Sequence, residues 1–270
     1  MGAVHTQRTI AWNLVPTRNF EVTVHFFEEV MGWEMEQQGV PVHDLQFQRY
    51  AMFRCPNGVV MEVVEPTPVC ASRYTHPVVS IAIEDLRKVL ASLKDCGFAP
   101  STEVIAPKKG VAWTYFQAPG GTLVQLSQDP LVPPLVDEHK AGVSWILHPT
   151  RDFEATVALF AETLGLSMLQ RGVPVDDLQF VHYAQFKLDN GVVLEVVEPS
   201  AECADRFTGP VLAMTVDDLL GMKQRIEATG VVFHTDVIYS DDGSAWTYFE
   251  VPGAGRFQLM GVGVSKPQTD

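Results

Sequence analysis

Two glutamates in nearly identical apolar surroundings are the residues of this 270-residue chain whose placement best suits chemistry. Glu62 lies in the run NGVVMEVVEP, and Glu195 lies in the matching run NGVVLEVVEP further along the chain. Such apolar runs predict strands, and a carboxyl group buried among apolar side chains has a raised pKa and needs a partner. Each glutamate could therefore act as a base, bind a metal, or pair with an ammonium or guanidinium group.

Two aromatic residues follow in a second strand-like run that also occurs twice. In a strand, alternate side chains share a face, so Trp113 and Tyr115 point one way and Thr114 and Phe116 the other. The equivalent aromatics, at the spacing that separates Glu62 from Glu195, are Trp246 and Tyr248. We predict that the Trp and Tyr of each pair face a cavity, where their rings can stack on a ligand or attract a cation.

Metal-binding side chains are sparse. The four cysteines are scattered without a CxxC pair, which excludes a typical structural zinc site and a disulfide framework. No histidine recurs at the spacing of the two glutamates. His76, two residues before Val78, could be a displaced ligand on the same strand face, but its counterpart is Gly209. The sequence therefore favours a protein without a metal centre.

The constant spacing of these pairs reflects a tandem duplication. The chain aligns with itself at this offset without a gap, and residues 39–66 and 172–199 are identical at 20 of 28 positions. We predict a first domain over residues 1–133 and a second over 134–270. Residues 129–142 contain three prolines and form the predicted linker.

Each copy contains a weaker internal repeat. Two helix-like stretches in each copy end at a glycine suited to the left-handed cap, Gly32 and Gly97 in the first copy. The first predicted helix spans about 19–31, a predicted strand spans 102–105, and Asn57-Gly58 is a hairpin signal. The pattern predicts four βαβββ modules, at about 8–66, 77–128, 141–199 and 210–263, in an α+β fold.

The overall charge narrows the possible partners. The chain has a formal net charge of −14, and residues 1–133 contain 13 acidic and 10 basic side chains against 20 and 9 in 134–270. Nucleic acid is excluded as a partner because phosphate contacts need clustered Lys and Arg. The sequence has no long apolar run and no signal-peptide pattern, so we expect no membrane partner and a cytoplasmic location. We expect a monomer or homodimer that binds a small molecule.

Three segments carry a family resemblance: WNLVPTRNFEVTVHFFEEVMGW (12–33), NGVVMEVVEP (57–66) and AWTYFQAPGGTLVQLS (112–127), each with its partner in the second copy. With paired βαβββ modules, they resemble the vicinal oxygen chelate superfamily, which includes glyoxalase I, extradiol dioxygenases and bleomycin-binding proteins. The resemblance implies that each copy is a glyoxalase/bleomycin-resistance-type domain. Its two modules would form one cupped mixed sheet with the helices outside.

The resemblance also implies where a metal would bind. Enzymes of this superfamily hold a divalent metal at four inward-facing positions, which correspond here to Trp12, Glu62, Val78 and Gln125, and to Trp145, Glu195, Val211 and Gln258. Tryptophan and valine do not coordinate such ions, and one carboxylate with one amide is too small a ligand set. We therefore expect no metal and no other cofactor.

These observations favour a metal-independent binding protein that sequesters or senses an aromatic or cationic ligand, similar to the drug-binding members of the superfamily. One alternative is a glyoxalase- or dioxygenase-like enzyme with a rearranged metal site formed by Glu62, His76 and Gln125. The other is a metal-free isomerase with Glu62 or Glu195 as base and Arg256 as a weak electrophilic candidate. The predicted ligand-binding residues are Trp12, Glu62, Trp113, Tyr115, Gln125, Trp145, Glu195, Trp246, Tyr248 and Gln258.

Two further expectations concern the loops and the differences between the copies. Asp44 with Arg73, and Asp177 with Arg206, are repeated opposite charges that either brace a loop or remain solvated. The strands near 45–53 and 178–186 differ at Gln48/Val181, Arg49/His182 and Met52/Gln185. If these positions line the cups, one copy could bind ligand while the other serves as scaffold.

Overall fold

A computed structural model describes residues 9–119, 121–128, 142–241, 243–252 and 254–264. These residues form sixteen strands and four α-helices. The first copy contains β1 (Thr9–Pro16), α1 (Phe20–His25), β2 (Glu34–Gly39), β3 (Phe47–Arg54), β4 (Val60–Pro66), β5 (Val78–Ala82), α2 (Leu86–Asp95), β6 (Ile105–Lys108), β7 (Val111–Gln117) and β8 (Leu123–Gln128).

The second copy repeats this order of elements. It contains β9 (Gly142–Pro149), α3 (Phe153–Ala158), β10 (Ser167–Gly172), β11 (Phe180–Lys187), β12 (Val193–Pro199), β13 (Val211–Thr215), α4 (Leu219–Glu227), β14 (Ile238–Tyr239), β15 (Ser244–Val251) and β16 (Gly255–Val262). The predicted α+β fold of four βαβββ modules is confirmed.

Each copy builds one curved sheet of eight strands. The order is β2-β3-β4-β1-β5-β8-β7-β6 in the first sheet, and the second sheet has the same order with its own strands. The two modules of a copy meet where β1 runs antiparallel to β5, with Trp12 opposite Ser80. Modules therefore pair within a copy.

Alternation along the strands separates the two faces of each sheet. On β4, Met61 and Val63 join the large core between sheet and helices, while Val64 belongs to a smaller cluster on the concave face. Glu62 shares that concave face and lines its cavity. We call the concave face and its cavity the cup, numbered by copy. The apolar runs around the glutamates thus reflect strands buried on both faces.

The first helix of each copy differs from the prediction in its second half. The segment predicted as a helix over 19–31 is α-helical only to His25 and then π-helical over Phe26–Val30, and Leu159–Thr163 repeats this after α3. The wider turn leaves Phe26 and Phe27 buried in the core. The predicted left-handed caps are confirmed, since Gly32 and Gly97 have φ of 71° and 86°.

The two copies share one core and reciprocal hydrogen bonds. The Asn57 side chain donates to the Val143 carbonyl at 2.9 Å, and its counterpart Asn190 donates to the Ile10 carbonyl at the same distance. Phe26 also packs against Phe249, with ring centroids 6.0 Å apart. These contacts join the two copies through the large core cluster, which contains residues of both.

Three further expectations from the sequence concern a strand, the linker and membrane spans. The strand expected over 102–105 begins only at Ile105, because Thr102 uses its carbonyl to accept a hydrogen bond from the Thr114 hydroxyl. The linker at 129–142 and the boundary at 133 lie almost entirely outside the described residues. Among the helices that the structure describes, none is long and apolar enough to cross a bilayer.

Candidate functional site

A cavity opens on the concave face of each sheet. The cavities measure about 260 Å³ in the first cup and about 250 Å³ in the second. All ten predicted ligand-binding residues line them: the first is lined by Trp12, Glu62, Trp113, Tyr115 and Gln125, the second by Trp145, Glu195, Trp246, Tyr248 and Gln258. The structure therefore brings the predicted residues together in two equivalent groups.

The glutamate of the first cup is anchored by the tryptophan of β1. The Trp12 indole Nε1 donates to Glu62 Oε2 at 2.8 Å. Burial raises the pKa of Glu62 to about 7, the hydrogen bond from Trp12 partly opposes this, and the charge of Asp44 adds to it. Glu62 is therefore a group that exchanges a proton near neutral pH, and its Oε1 accepts no hydrogen bond from the described residues.

A second carboxylate, Asp44, organises the opposite wall. Asp44 is buried, and its Oδ2 accepts hydrogen bonds from Trp113 Nε1 at 3.1 Å and from the Tyr115 hydroxyl at 3.0 Å. Gln125 Nε2 in turn donates to the Tyr115 oxygen at 2.9 Å. Burial, followed by the nearby charge of Asp44, raises the pKa of Tyr115 well above its ordinary value. This network fixes the rings as a rigid wall.

The second cup repeats both arrangements and adds one contact. Trp145 Nε1 donates to Glu195 Oε2 at 2.9 Å, and Asp177 accepts from Trp246 at 3.1 Å and Tyr248 at 2.9 Å. In addition, Gln185 Nε2 donates to Glu195 Oε1 at 2.8 Å. Burial raises the pKa of Glu195, and both of its hydrogen bonds oppose that rise.

The residues inferred as the third position lie one step along the strand from the cavity wall. Val78 pairs with Leu14 and packs in the small cluster on the concave face, whereas Ser80 pairs with Trp12 and Gln125 and lines the cavity. In the second copy, Val211 likewise pairs with Leu147, and Ala213 pairs with Trp145 and Gln258. The register across the sheet therefore places Ser80 and Ala213 level with Trp12 and Trp145.

Neither residue set fits a divalent metal. The Trp12 indole is a donor without a lone pair for coordination, and it already occupies one oxygen of Glu62. Glu62 Oε1, the Gln125 carbonyl and a serine hydroxyl remain, and in the second copy alanine replaces the serine. Within the described residues, no group of three or more His, Cys, Asp or Glu could hold a metal ion. The chemistry of these side chains suits organic ligands better.

Two residues considered from sequence lie away from the cavities. His76 Nε2 hydrogen-bonds to the Thr208 hydroxyl of the second copy at 2.8 Å, and His76 does not line the first cavity with Glu62 and Gln125. Arg256 lies two residues before Gln258 on β16, near the start of the strand. Its guanidinium donates to the Arg206 carbonyl and lies over the Phe207 ring, so it does not line the second cavity.

The predicted pairing of loop charges is also wrong. Arg73 donates to the Gln46 side chain at 2.8 Å, and Asp44 is neither paired with Arg73 nor solvated, since the indole and phenol draw it into the cup. Asp177 is buried in the same way in its own cup.

Of the three differences between the equivalent strands, only one lies in a cup. Met52 and Gln185 line the cavities, whereas Arg49 pairs with Glu65 and His182 with Glu198 outside them. The remaining pair, Gln48 and Val181, is exposed. A register shift between Phe47 and Arg49 changes which residues of β3 face inward.

Sequence reasoning missed the two aspartates as cup residues. Their signal was present, because Asp44 and Asp177 occupy the same place in the most similar stretch of the repeat, GVPVHDLQF and GVPVDDLQF. Tyr50 and Tyr183, which lie in the same stretch and line the same walls, were missed as well. An aspartate kept at the same place in both copies, within the most similar stretch of the repeat, was the available signal for a structural role.

The fold and cups define a protein built from paired βαβββ modules, each pair forming one open sheet around a cavity. Residues 5–126 match the profile of the Glyoxalase/Bleomycin resistance protein/Dioxygenase superfamily. The first copy belongs to this superfamily, and the second copy shares its fold and its repeated residues. The predicted vicinal oxygen chelate resemblance is thereby confirmed. No curated protein matches the sequence.

Solved structures with the same architecture are distant in sequence. A mutant of 4-hydroxymandelate synthase from Streptomyces coelicolor matches with a TM-score of 0.68 at 12% identity, over 97% of this chain and 94% of that chain. The Mn(II)-bound glyoxalase from Novosphingobium aromaticivorans matches at 0.62 and 16%, over 96% and 84%. The 2,3-dioxygenase LapB from Pseudomonas sp. KL28 matches at 0.62 and 14%, over 98% and 95%. At these identities the likeness shows the fold alone.

Proposed function

We propose that this chain is a metal-independent small-molecule-binding protein that holds an aromatic or cationic ligand in an aromatic-lined cup. The observation that carries the proposal is the pairing of Trp12 with Glu62 at a position where the superfamily's enzymes hold a metal. The Trp12 indole stands at one of the metal-ligand positions, and it hydrogen-bonds one oxygen of Glu62, which stands at another. The cavity remains open beside this pair and keeps a carboxylate oxygen for a ligand.

The walls of the cup support this class of ligand. Trp12, Trp113 and Tyr115 supply rings held by hydrogen bonds, and a ring face contributes about 0.5–2 kcal/mol when it contacts a cation. Glu62 and Asp44 are the acids on the cavity wall, and no Lys, Arg or His lines either cavity in the described part of the chain. An anionic ligand would therefore lack a countercharge, whereas a cation would gain one.

Binding of three compounds with the same ring system and different charges tests the proposal. Isothermal titration of the whole chain with naphthylmethylammonium, naphthylmethanol and naphthoate should show the cation bound most tightly and the anion least tightly. Tryptophan emission, followed in parallel, should change because the ligand contacts Trp12 or Trp113. Absence of binding by the cation and the alcohol would contradict the proposal.

Metal content provides an independent check. Protein purified without chelator should contain no stoichiometric Mn, Fe, Ni or Zn, and the affinity for naphthylmethylammonium should be unchanged after dialysis against EDTA. Stoichiometric metal that is lost in Glu62→Ala would contradict the proposal and favour the glyoxalase- or dioxygenase-like alternative.

The isomerase alternative has one supporting feature and lacks another. A pKa of about 7 suits Glu62 as a general base. However, the Tyr115 hydroxyl and Trp113 indole already donate to Asp44, and no cationic side chain among the described residues lines the cup to stabilise a developing oxyanion. The geometry therefore supports binding more strongly than proton transfer.

A further inference from the structure

The two cups differ beside the glutamate at one inward-facing position. Gln185 is the cross-strand partner of Glu195, and its Nε2 donates to Glu195 Oε1 at 2.8 Å. Gln170 Nε2 completes the row by donating to Gln185 Oε1 at 2.6 Å. Both oxygens of Glu195 therefore have protein hydrogen bonds, because Trp145 supplies the other.

The same row in the first cup has no donor for the second oxygen. Met52 is the cross-strand partner of Glu62, and a thioether does not donate a hydrogen bond. Gln37, the counterpart of Gln170, donates to the Tyr50 hydroxyl at 2.5 Å instead. Among the described residues, Glu62 Oε1 has no hydrogen-bond partner, although Trp12 binds Oε2.

Building on the proposed function, we propose that a cationic ligand binds in the first cup alone, with an N–H group donating to Glu62 Oε1. Gln185 makes the second cup less favourable for such a ligand, because the ligand would have to share or displace the hydrogen bond that the Gln185 amide already donates to the equivalent oxygen of Glu195. The pair Met52/Gln185 thus determines which copy binds and which serves as scaffold. Cavity size cannot make this distinction, since the two volumes are about 260 and 250 Å³.

The other acidic groups do not replace Glu62 in this role. Asp44 and Tyr115 face Glu62 within the first cup, but Asp44 Oδ2 accepts two hydrogen bonds and its Oδ1 accepts two more, from the backbone N–H and the side chain of Gln46. In the second cup, Asp176 is an additional carboxylate, but it is exposed at the rim and accepts a hydrogen bond from Ser240. Glu62 Oε1 is therefore the acceptor that remains for a buried cation.

Exchange of the two residues tests this inference directly. Met52→Gln places an amide beside Gln37 and Glu62, which are the counterparts of Gln170 and Glu195. Gln185→Met removes the amide that donates to Glu195. Titration with naphthylmethylammonium should give one site in the wild type, at least tenfold weaker binding in Met52→Gln, and two sites in Gln185→Met. Gln48→Val and Val181→Gln, which exchange exposed residues on the same two strands, serve as controls and should bind like the wild type.

A readout without ligand checks the same exchange. Carbon-13 NMR titration of labelled glutamate carboxyl groups should show a lower pKa for Glu62 in Met52→Gln and a higher pKa for Glu195 in Gln185→Met. Two wild-type sites, unchanged affinity in Met52→Gln, or a single site in Gln185→Met would overturn the inference while leaving the proposed function intact. Failure of the wild type to bind any of the three naphthyl compounds would contradict the proposed function, and this inference with it.

Discussion

The two faces of the first strand in each copy have diverged to different extents. On the cup face, Trp12 and Leu14 are matched by Trp145 and Leu147. On the core face, Asn13 is matched by Ile146, and Val15 is matched by His148. The face that lines a cavity is therefore the same in both copies, whereas the face that only packs differs in its chemistry.

The differing face carries an energetic penalty that the hydrogen-bonded cavity walls do not. Asn13 and His148 are fully buried, and within the described residues neither has a hydrogen-bond partner for either of its side-chain polar atoms. An unsatisfied buried polar group costs about 1–3 kcal/mol. On the cavity walls, by contrast, the indoles, the Tyr115 and Tyr248 hydroxyls and both aspartates are hydrogen-bonded. The hydrogen-bonded polar side chains are therefore concentrated around the cavities, where a ligand would bind.

The largest expected effect on the free energy of unfolding comes from replacing His148 with valine, the residue at the equivalent position of the first copy. Burial lowers the pKa of His148 to about 4 from an ordinary value near 6.5, so the folded state binds fewer protons than the unfolded chain between these values. Stability is therefore fully present above pH 6.5 and is lost as the pH falls toward 4. His148→Val should raise the free energy of unfolding by about 1–3 kcal/mol at pH 7.5 and by about 2 kcal/mol more at pH 5.

Urea unfolding of both proteins at the two pH values measures this difference. The reciprocal variant Val15→His is the matched control, and it should lose stability at pH 7.5 and lose more at pH 5. An equal advantage of His148→Val at both pH values would show that the imidazole finds a partner or water in the folded core.

On the cup face, the contribution of the glutamates to stability should depend on pH in the opposite direction. The pKa of Glu62 is raised to about 7, so its contribution to stability is fully present below about pH 4.5 and is lost as the pH rises through 7. Glu62→Gln keeps an acceptor for Trp12 and cannot ionise. Relative to wild type, it should gain about 2 kcal/mol in the free energy of unfolding between pH 5 and pH 8.

Glu195→Gln provides the comparison between cups for that experiment. Gln185 and Trp145 both donate to Glu195, and both hydrogen bonds lower its pKa against the effect of burial. The gain with pH should therefore be smaller than for Glu62→Gln. Equal slopes in the two variants would mean that Gln185 does not distinguish the cups electrostatically.

Asn13→Ile should give a gain of similar size to that of Glu62→Gln, but one that does not depend on pH. It copies the buried Ile146 of the second copy and removes two unsatisfied amide atoms from the core. We expect a rise of about 2 kcal/mol in the free energy of unfolding at pH 7.5, from relief of desolvation and added apolar burial. Thermal unfolding of Asn13→Ile and of Ile146→Asn should shift in opposite directions, and a fall in both would indicate overpacking at position 13.

The sequence predicted the fold and most of the cup walls, because a gapless repeat and alternating strands leave little freedom of register. It did not reveal the hydrogen bonds that join distant residues, such as Trp113 to Asp44, since these depend on how a loop folds over the sheet. The register shift after Phe47 also made the inward-facing residues of β3 unpredictable from simple alternation. That Ser80 rather than Val78 lies beside Trp12 depends on cross-strand pairing, which a repeat within one chain does not define.

The smallest expected effect tests how alike the cups remain. Asp44→Asn and Asp177→Asn each weaken the acceptor for one indole and one phenol, at matched distances of 3.1 Å for both indoles and 3.0 and 2.9 Å for the phenols. Each should lower the free energy of unfolding by about 1 kcal/mol, because a charge-assisted hydrogen bond becomes a neutral one. Equal losses in urea unfolding would show that the aspartate networks are interchangeable, so that the cups differ at other positions such as Met52/Gln185. A loss confined to one copy would show instead that the two walls have already diverged.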